Sequence, residues 1–566
     1  MTTSSKQRQG APQLRKMLQV LGALLIVAFW PFALAELFWD DYLVIRPDGP
    51  IAHLSTIGKA LYGRCVLFDP HYQYPYYRPL IDILFILEYA VVGTGAFLYH
   101  LTNFLLHSAN AMMVMLLLVR VLPRTNHAAL AALIGAGVFA LHPIQCESVL
   151  WPAARPAVLS LFFLMLCAHS FLNAIESERR TALHAIATVA CFIAALLSKE
   201  VAIAALPVAL LLFGVKGARP PRVAVYTSAA CAIVLIVYLV ANSAVGSSAS
   251  HLGGGGIMPL LKQGAASLGF YILKLFVPTD LHPSYAGNLS DGWANSVAGG
   301  AAMLAAIVAL VAACVIRTRT AFLVAAGMIF FCGSACLPLL ASLSSLADRY
   351  VYQAMAGLGV VVAVAIYIAG ARVDLSGRRA TFCGFGFLAV VALTAMHQST
   401  YWISAESMWL HTTAKDPANY DANIYLGEIA ENRGDLETAE RRYLIAMGEG
   451  ATLREDGAMA VGRVRFARGN NDGAITAFES IRQNSPLEND ARIRMAVVEF
   501  SRSNIEKSHA LIAGFADTGA EPASVYLNLA LLALRMDKDH AAASRWYEMA
   551  RERGAAESSE LEALRN

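Results

Sequence analysis

The chain has 566 residues, of which 57% are apolar and 15% charged, with a mean hydropathy of +0.51. That is too long for one ordinary domain and places it in the membrane class. The net charge of +3 comes from bases in short loops. No basic tract carries interleaved aromatics, which excludes a nucleic-acid partner. The nine cysteines form no disulfide or metal framework, and Cys332 and Cys336 stand i, i+4 with no Cys or His pair nearby to complete a zinc site.

Residues 1–16 hold Lys6, Arg8, Arg15 and Lys16 and read as a cytoplasmic N-terminus. The apolar segment 17–38 follows. It is long and lacks a small-x-small cleavage site, so it reads as a retained anchor. Directly after it, FWDDY places Asp40 and Asp41 side by side. A charge at the edge of hydrocarbon is costly and is a functional candidate. Two adjacent carboxylates repel, so one can keep a raised pKa and accept a proton. The competing reading is a solvated helix end.

An outer region over 39–96 contains the aromatic run HYQYPYYRPL (71–80), with Arg78 in it, and a predicted surface-lying helix from Pro79 to Val92. Further apolar segments fall near 97–120, 128–147, 153–175, 181–198, 201–215, 224–245, 297–316, 321–341, 350–370 and 380–397, giving about eleven spans. The basic loops 120–124, 178–180, 216–222, 317–319 and 372–379 all fall inside if the N-terminus is cytoplasmic. The apolar stretch 260–276 then belongs to a second outer region, 246–296, with GGGG at 253–256 and VPTDLHPSYAG at 277–287.

Polar residues gather at the outer ends of these spans. Tyr99, His100, Asn103 and His107 share a helical spacing in the second span. His142, Glu147 and Arg155 flank the turn in LHPIQCESVLWPAAR. Lys199 and Glu200 form the turn between spans five and six, and Asp348, Arg349 and Tyr350 open span ten. Bases beside an acid pair suit an anionic, phosphate-bearing substrate and a general base. The bland alternatives are local pairs: Glu147 with Arg155, Asp348 with Arg349, Lys199 with Glu200, and packing roles for His100 and His107.

Beyond Lys415 no apolar run could span a bilayer. Residues 420–451 carry a tetratricopeptide pattern in Leu426, Gly427, Gly434, Ala439, Tyr443 and Ala446. Gly462, Gly469, Ala474, Phe478 and Pro486 repeat it, and Ala543, Tyr547 and Ala550 mark a later unit beyond a degenerate one. The predicted domains are 17–397 in the membrane, a linker or half-repeat at 398–418, a tetratricopeptide domain at 419–555 and a tail at 556–566. The fold class is all-α: a polytopic membrane protein followed by an α-solenoid.

FWDDYLVI, the stretch 76–118, LHPIQCESVLWPAARPAVLSLFF (141–163), LLSKEVAIAALP (196–207) and ADRYVYQAMAGLG (347–359) together resemble the tetratricopeptide-linked transmembrane O-mannosyltransferases and their bacterial relatives. The resemblance covers most of 38–370 in order and spacing, and the repeat tail follows as in that family. It departs at Arg155–Ala157, where the family more often has an RxD-like sequence, and at TDLHPSYAG, which keeps the tyrosine without a clear SxDYP. The resemblance implies a GT-C type glycosyltransferase in a bacterial inner membrane, its active site on the periplasmic side. It implies a polyprenyl-phosphate sugar donor, an inverting transfer and catalysis by the acids mapping to Asp40 and Asp41. On this reading Arg349, Arg78, Arg155 and Lys199 are the pool for the donor phosphate. His142, Glu147, Glu200, Tyr350, His100 and Asn103 support them. No cofactor is required, although a divalent metal is compatible. The partners are the lipid-linked sugar, membrane lipids and an acceptor protein or peptide, which the repeat groove could hold. A catalytically silent membrane-anchored scaffold and an enzyme acting on an envelope glycan remain the alternatives.

Overall fold

The computed structural model describes residues 3–62, 67, 77–176, 179–215, 222–244, 257–285, 293–341, 346–373, 377–448, 453–512 and 540–552, with a few positions in 526–534 and 561. The first part of the aromatic run, the GGGG stretch, the end of TDLHPSYAG and most of the degenerate repeat lie outside them. The chain divides into two compact units, Met1–His411 and Thr412–Asn566.

In the first unit, α1 (Thr3–Phe29) is followed by the short α2 (Asp41–Val44), α3 (Thr56–Ala60) and α4 (Pro79–Val92). Then come α5 (Ala96–Val121), α6 (Ala128–Leu141), α7 (Cys146–Leu150), α8 (Arg155–Glu176), α9 (Thr181–Ser198) and α10 (Ala205–Val215). The unit continues through α11 (Arg222–Ala244), α12 (Ile257–Phe276), α13 (Trp293–Ile316), α14 (Arg319–Ala341), α15 (Ala354–Gly370) and α16 (Arg378–Thr400) into α17 (Ala405–Lys415).

Among the described residues, eight helices are long and apolar enough to cross a membrane: Gln13–Ala33, Ala96–Val121, Pro152–Glu176, Thr181–Ser198, Arg222–Ala241, Ala294–Ile316, Arg319–Cys336 and Arg378–Thr400. Ala128–Leu141 and Pro143–Leu150, bent by 47° at His142, would make a ninth. The eight helices and the bent pair account for nine of the eleven expected segments. Glu200–Leu212 and Ala354–Gly370 are apolar but short, and the 17 residues of α15 rise only about 25 Å against roughly 30 Å of hydrocarbon. Small residues let the bundle close. A Cβ at Gly135 on α6 would collide with the Gly359 carbonyl on α15, so the two helices meet backbone to backbone.

Helix α4, predicted to lie on the surface, packs one face against its neighbours and leaves the other exposed. Pro79 opens it at a position that needs no N–H donor, and Gly93, at φ 59°, closes it. Ile81, Phe85 and Ile86 are buried with Tyr99 and Leu159, while Leu87 and Val91 remain exposed. The apolar face of this short helix is covered by α5 and α8, which places its one central acid, Glu88, inside the protein.

The second unit continues with α18 (Tyr420–Asn432), α19 (Leu436–Met447), α20 (Glu455–Ala467), α21 (Asn471–Glu479), α22 (Glu488–Ser501), α23 (Ile505–Ile512) and α24 (His540–Glu552). Successive helices from α18 to α23 pack on one another. Asn419, Asp435 and Asn470 cap three of them by accepting a backbone N–H. Gly427 faces the Tyr443 ring and Gly462 the Phe478 ring with no space for a Cβ.

Candidate active site

The polar residues converge at one end of the first unit's bundle, where α1 ends and α5, α8 and α15 begin. The turn after α1 is held by Asp41. Its Oδ2 accepts the Phe38 N–H (3.2 Å) and its Oδ1 the Ala153 N–H (2.9 Å). One buried carboxylate thus ties the FWDDY turn to the turn before α8. Burial pushes the Asp41 carboxyl up to about 8, against the two backbone donors.

Trp39 has φ 56°, a left-handed conformation uncommon for a bulky side chain. Its ring stacks on Trp151 at 4.6 Å and 6° and meets Trp409 edge-on at 5.1 Å. The aromatic floor and the Asp41 anchor together hold this turn against its backbone preference. Asp40, at the N-cap of α2, is partly exposed and close enough for its charge to act on Arg349.

Arg349 is paired with Glu147, whose Oε2 also accepts the Arg349 backbone N–H (2.8 Å). Its guanidinium lies 4.9 Å from the Tyr350 ring, 5.1 Å from Trp151 and 5.7 Å from Trp39. It is therefore flanked by three rings, with one-fifth of the side chain still exposed. Arg78 is held by Glu200 at 2.8–3.2 Å. Lys199 lies between these pairs, with its Nζ 5.8 Å from the Tyr350 ring. Among the described residues it has no carboxylate within salt-bridge distance. Burial pushes its ammonium down to about 7, and Arg78 and Arg349 act in the same direction against Glu200 and Glu147.

Arg155 stands apart. It is wholly enclosed, paired with Glu88, with its Nε donating to Asn103 Oδ1 (2.6 Å) and its Nη2 to the Tyr99 carbonyl (2.8 Å). Asn103 in turn donates to the Trp151 carbonyl (3.0 Å). His100 donates to the Glu36 carbonyl (3.1 Å). His142 accepts the Ile144 N–H and donates to the Leu275 carbonyl. His107 uses both nitrogens, on Tyr352 and the Ala140 carbonyl. These side chains hold backbone and leave little to offer a ligand.

The local pairs read from the sequence do not form. Glu147 takes Arg349 and not Arg155, and Glu200 takes Arg78 and not Lys199. Asp348 accepts the Tyr285 hydroxyl (2.8 Å) and not Arg349. Burial, reinforced by Glu147, holds its carboxyl well above the carboxylate range. Sequence reasoning missed Glu88, Trp39, Trp151 and the Asp348–Tyr285 link. Glu88 carried a readable signal, an acid amid FIL and YAVV; the others did not. No group of three or more His, Cys, Asp or Glu poised for a metal occurs among the described residues. The chain matches no protein-family model, no curated protein and no solved structure.

Proposed function

We propose that the chain is a membrane glycosyltransferase. It moves a hexose, mannose in the first instance, from a polyprenyl-phosphate sugar to a Ser or Thr hydroxyl of an exported protein, with inversion. The observation that carries this reading is a partly exposed carboxylate, Asp40, whose charge reaches Arg349 on a fixed aromatic floor, with the Lys199 ammonium over the Tyr350 ring that Arg349 also meets. Asp40 takes the hydroxyl proton as the acceptor oxygen attacks the anomeric carbon. The bond to the lipid phosphate breaks, and the phosphate leaves with the electron pair toward Arg349, Lys199 and Arg78. Asp41 positions the turn and Arg155 holds the helices beneath it, so neither touches substrate. Phosphate leaves readily, so this route needs no cofactor, and a divalent ion would be compatible with the acid pair.

The basic loops support an orientation in a bacterial inner membrane with this end facing the periplasm. The helix pairs of the second unit are read as tetratricopeptide units. Stacked, they would form a solenoid that offers a groove to the acceptor.

Asp40→Asn tests the reading. The amide keeps the shape but takes no proton at neutral pH. Sugar transfer should fall by about 10²–10⁴-fold in membranes carrying equal protein, with donor binding retained. A near-normal rate would make Asp40 a solvated helix end and remove the centre of the proposal.

A further inference from the structure

At the end of the bundle opposite the candidate site, α5 and α8 finish, α14 begins and α15 closes. The loops there carry arginine at 120–124, 179–180, 317–319 and 372–379, and among the described residues their only acid is Glu176. The ends of membrane spans lie at the level of lipid headgroups.

One corner of this end is built from five helices. Arg120, on α5, donates from Nη2 to Glu176 Oε2 (2.7 Å) and from Nη1 to the His169 carbonyl (3.2 Å), both on α8. Arg319, at the start of α14, donates from Nη2 to the Arg120 carbonyl (2.9 Å). Arg124 and Tyr367 of α15 are close enough for their charge to act on Arg319. His127, at the N-cap of α6, meets the Tyr367 ring at 5.1 Å. A Cβ at Gly370 would collide with the same imidazole, so the last turn of α15 closes tightly over it.

Two observations separate this corner from an ordinary solvated patch. First, among the described residues three guanidiniums, of Arg120, Arg124 and Arg319, face one carboxylate, that of Glu176. Positive charge is left over. Second, the buried Arg319 Nε and His127 Nε2 meet no hydrogen-bond partner among the described residues. Buried nitrogens are ordinarily paired, and an exception points to a partner that binds there. Both belong to side chains that neighbour Tyr367. The unmet groups can donate and the leftover charge is positive. The partner that fits is an anion with several acceptor oxygens, and the planar fork of arginine matches phosphate.

The place selects the source of that phosphate. Basic pockets between span ends bind the headgroups of anionic lipids. Leu116 stands one turn inward from Arg120 on the same face of α5 and is exposed, which gives an acyl chain apolar surface beneath the head. We propose that this corner binds the phosphate of an anionic phospholipid, held by Arg319 and Arg124 with His127 donating. The site lies at the opposite end from the candidate active site and does not rest on the transferase reading.

Native mass spectrometry of the detergent-purified full-length protein tests this. The probes are phosphatidylglycerol, phosphatidylcholine with the same chains, and glycerol 3-phosphate as a phosphate ester without chains. Phosphatidylglycerol should be retained over phosphatidylcholine by about tenfold, and glycerol 3-phosphate should not displace it. Arg124→Gln combined with Arg319→Gln should remove the preference. Arg15→Gln combined with Arg222→Gln removes two charges from helices outside the corner and should leave it in place. A phosphatidylglycerol with a photoreactive head should label residues 124–127 or 317–321 in the unaltered protein, a readout that needs no variant to fold. Equal loss in both double variants would mean diffuse surface charge and overturn the proposal. So would labelling that misses both segments, or displacement by glycerol 3-phosphate, which would mark a site for a free phosphate ester.

Discussion

Two ion pairs at the same end of the bundle have the same chemistry and opposite settings. Arg155 and Glu88 are enclosed on all sides, and each nitrogen of the guanidinium has a protein partner. Arg349 and Glu147 lie on an aromatic floor, with the arginine partly exposed and within reach of Asp40's charge. A guanidinium with every nitrogen engaged and no face open to solvent holds helices together. One that keeps an open side can also receive a phosphate. Residue type does not separate these roles; access to the guanidinium does.

The largest effect should come from the enclosed pair. Arg155→Ala leaves Glu88 buried without its cation and should cost about 3–5 kcal/mol of stability. Thermal unfolding of the detergent-purified protein would show it. Arg155→Met combined with Glu88→Gln should recover most of the loss, because a neutral pair of similar volume needs no buried charge. Normal unfolding of Arg155→Ala, with lost donor binding, would move Arg155 into the site and erase the contrast.

The open pair should split folding from binding. Arg349→Ala alone leaves Glu147 unpaired and is ambiguous, so it is combined with Glu147→Gln. That double variant should unfold like the parent and bind a prenyl-phosphate donor about 10–150-fold more weakly, the equivalent of a lost charge-assisted contact of about 1.5–3 kcal/mol. Unchanged affinity would make Arg349 a second structural tie.

The smallest effect concerns Asp41, and its sign depends on pH. Its carboxyl is raised from an ordinary 3.8 to about 8 by burial. The folded state therefore holds this proton more tightly than the unfolded chain does. The associated stability is full below about pH 4 and is lost as pH rises through about 8. Asp41→Asn should flatten that slope, at a cost at low pH of about 1–3 kcal/mol for one lost acceptor. A parallel pH dependence in parent and variant would remove Asp41 from the role of buried anchor.

Much of the architecture was legible in the chain. Apolar runs bounded by charge predicted helices close to those found, because a segment needs only its own composition to prefer hydrocarbon. The remaining expected spans fall on short helices, as at Glu200–Leu212, and one further span is bent before Pro143. Hydropathy records apolar character there and not the path of the axis.

By itself the sequence determined the helices, the segregation of polar residues to one set of span ends, and the adjacency of Asp40 and Asp41. Tertiary structure alone decided which charge answers which. Neighbours in sequence, such as Lys199 and Glu200 or Asp348 and Arg349, point to different partners. Glu200 reaches Arg78, Glu147 reaches Arg349, and Glu88 reaches Arg155 across separate helices. Adjacent side chains diverge from one backbone, and a buried charge needs a partner in space. That partner is set by how helices pack, which no local pattern records.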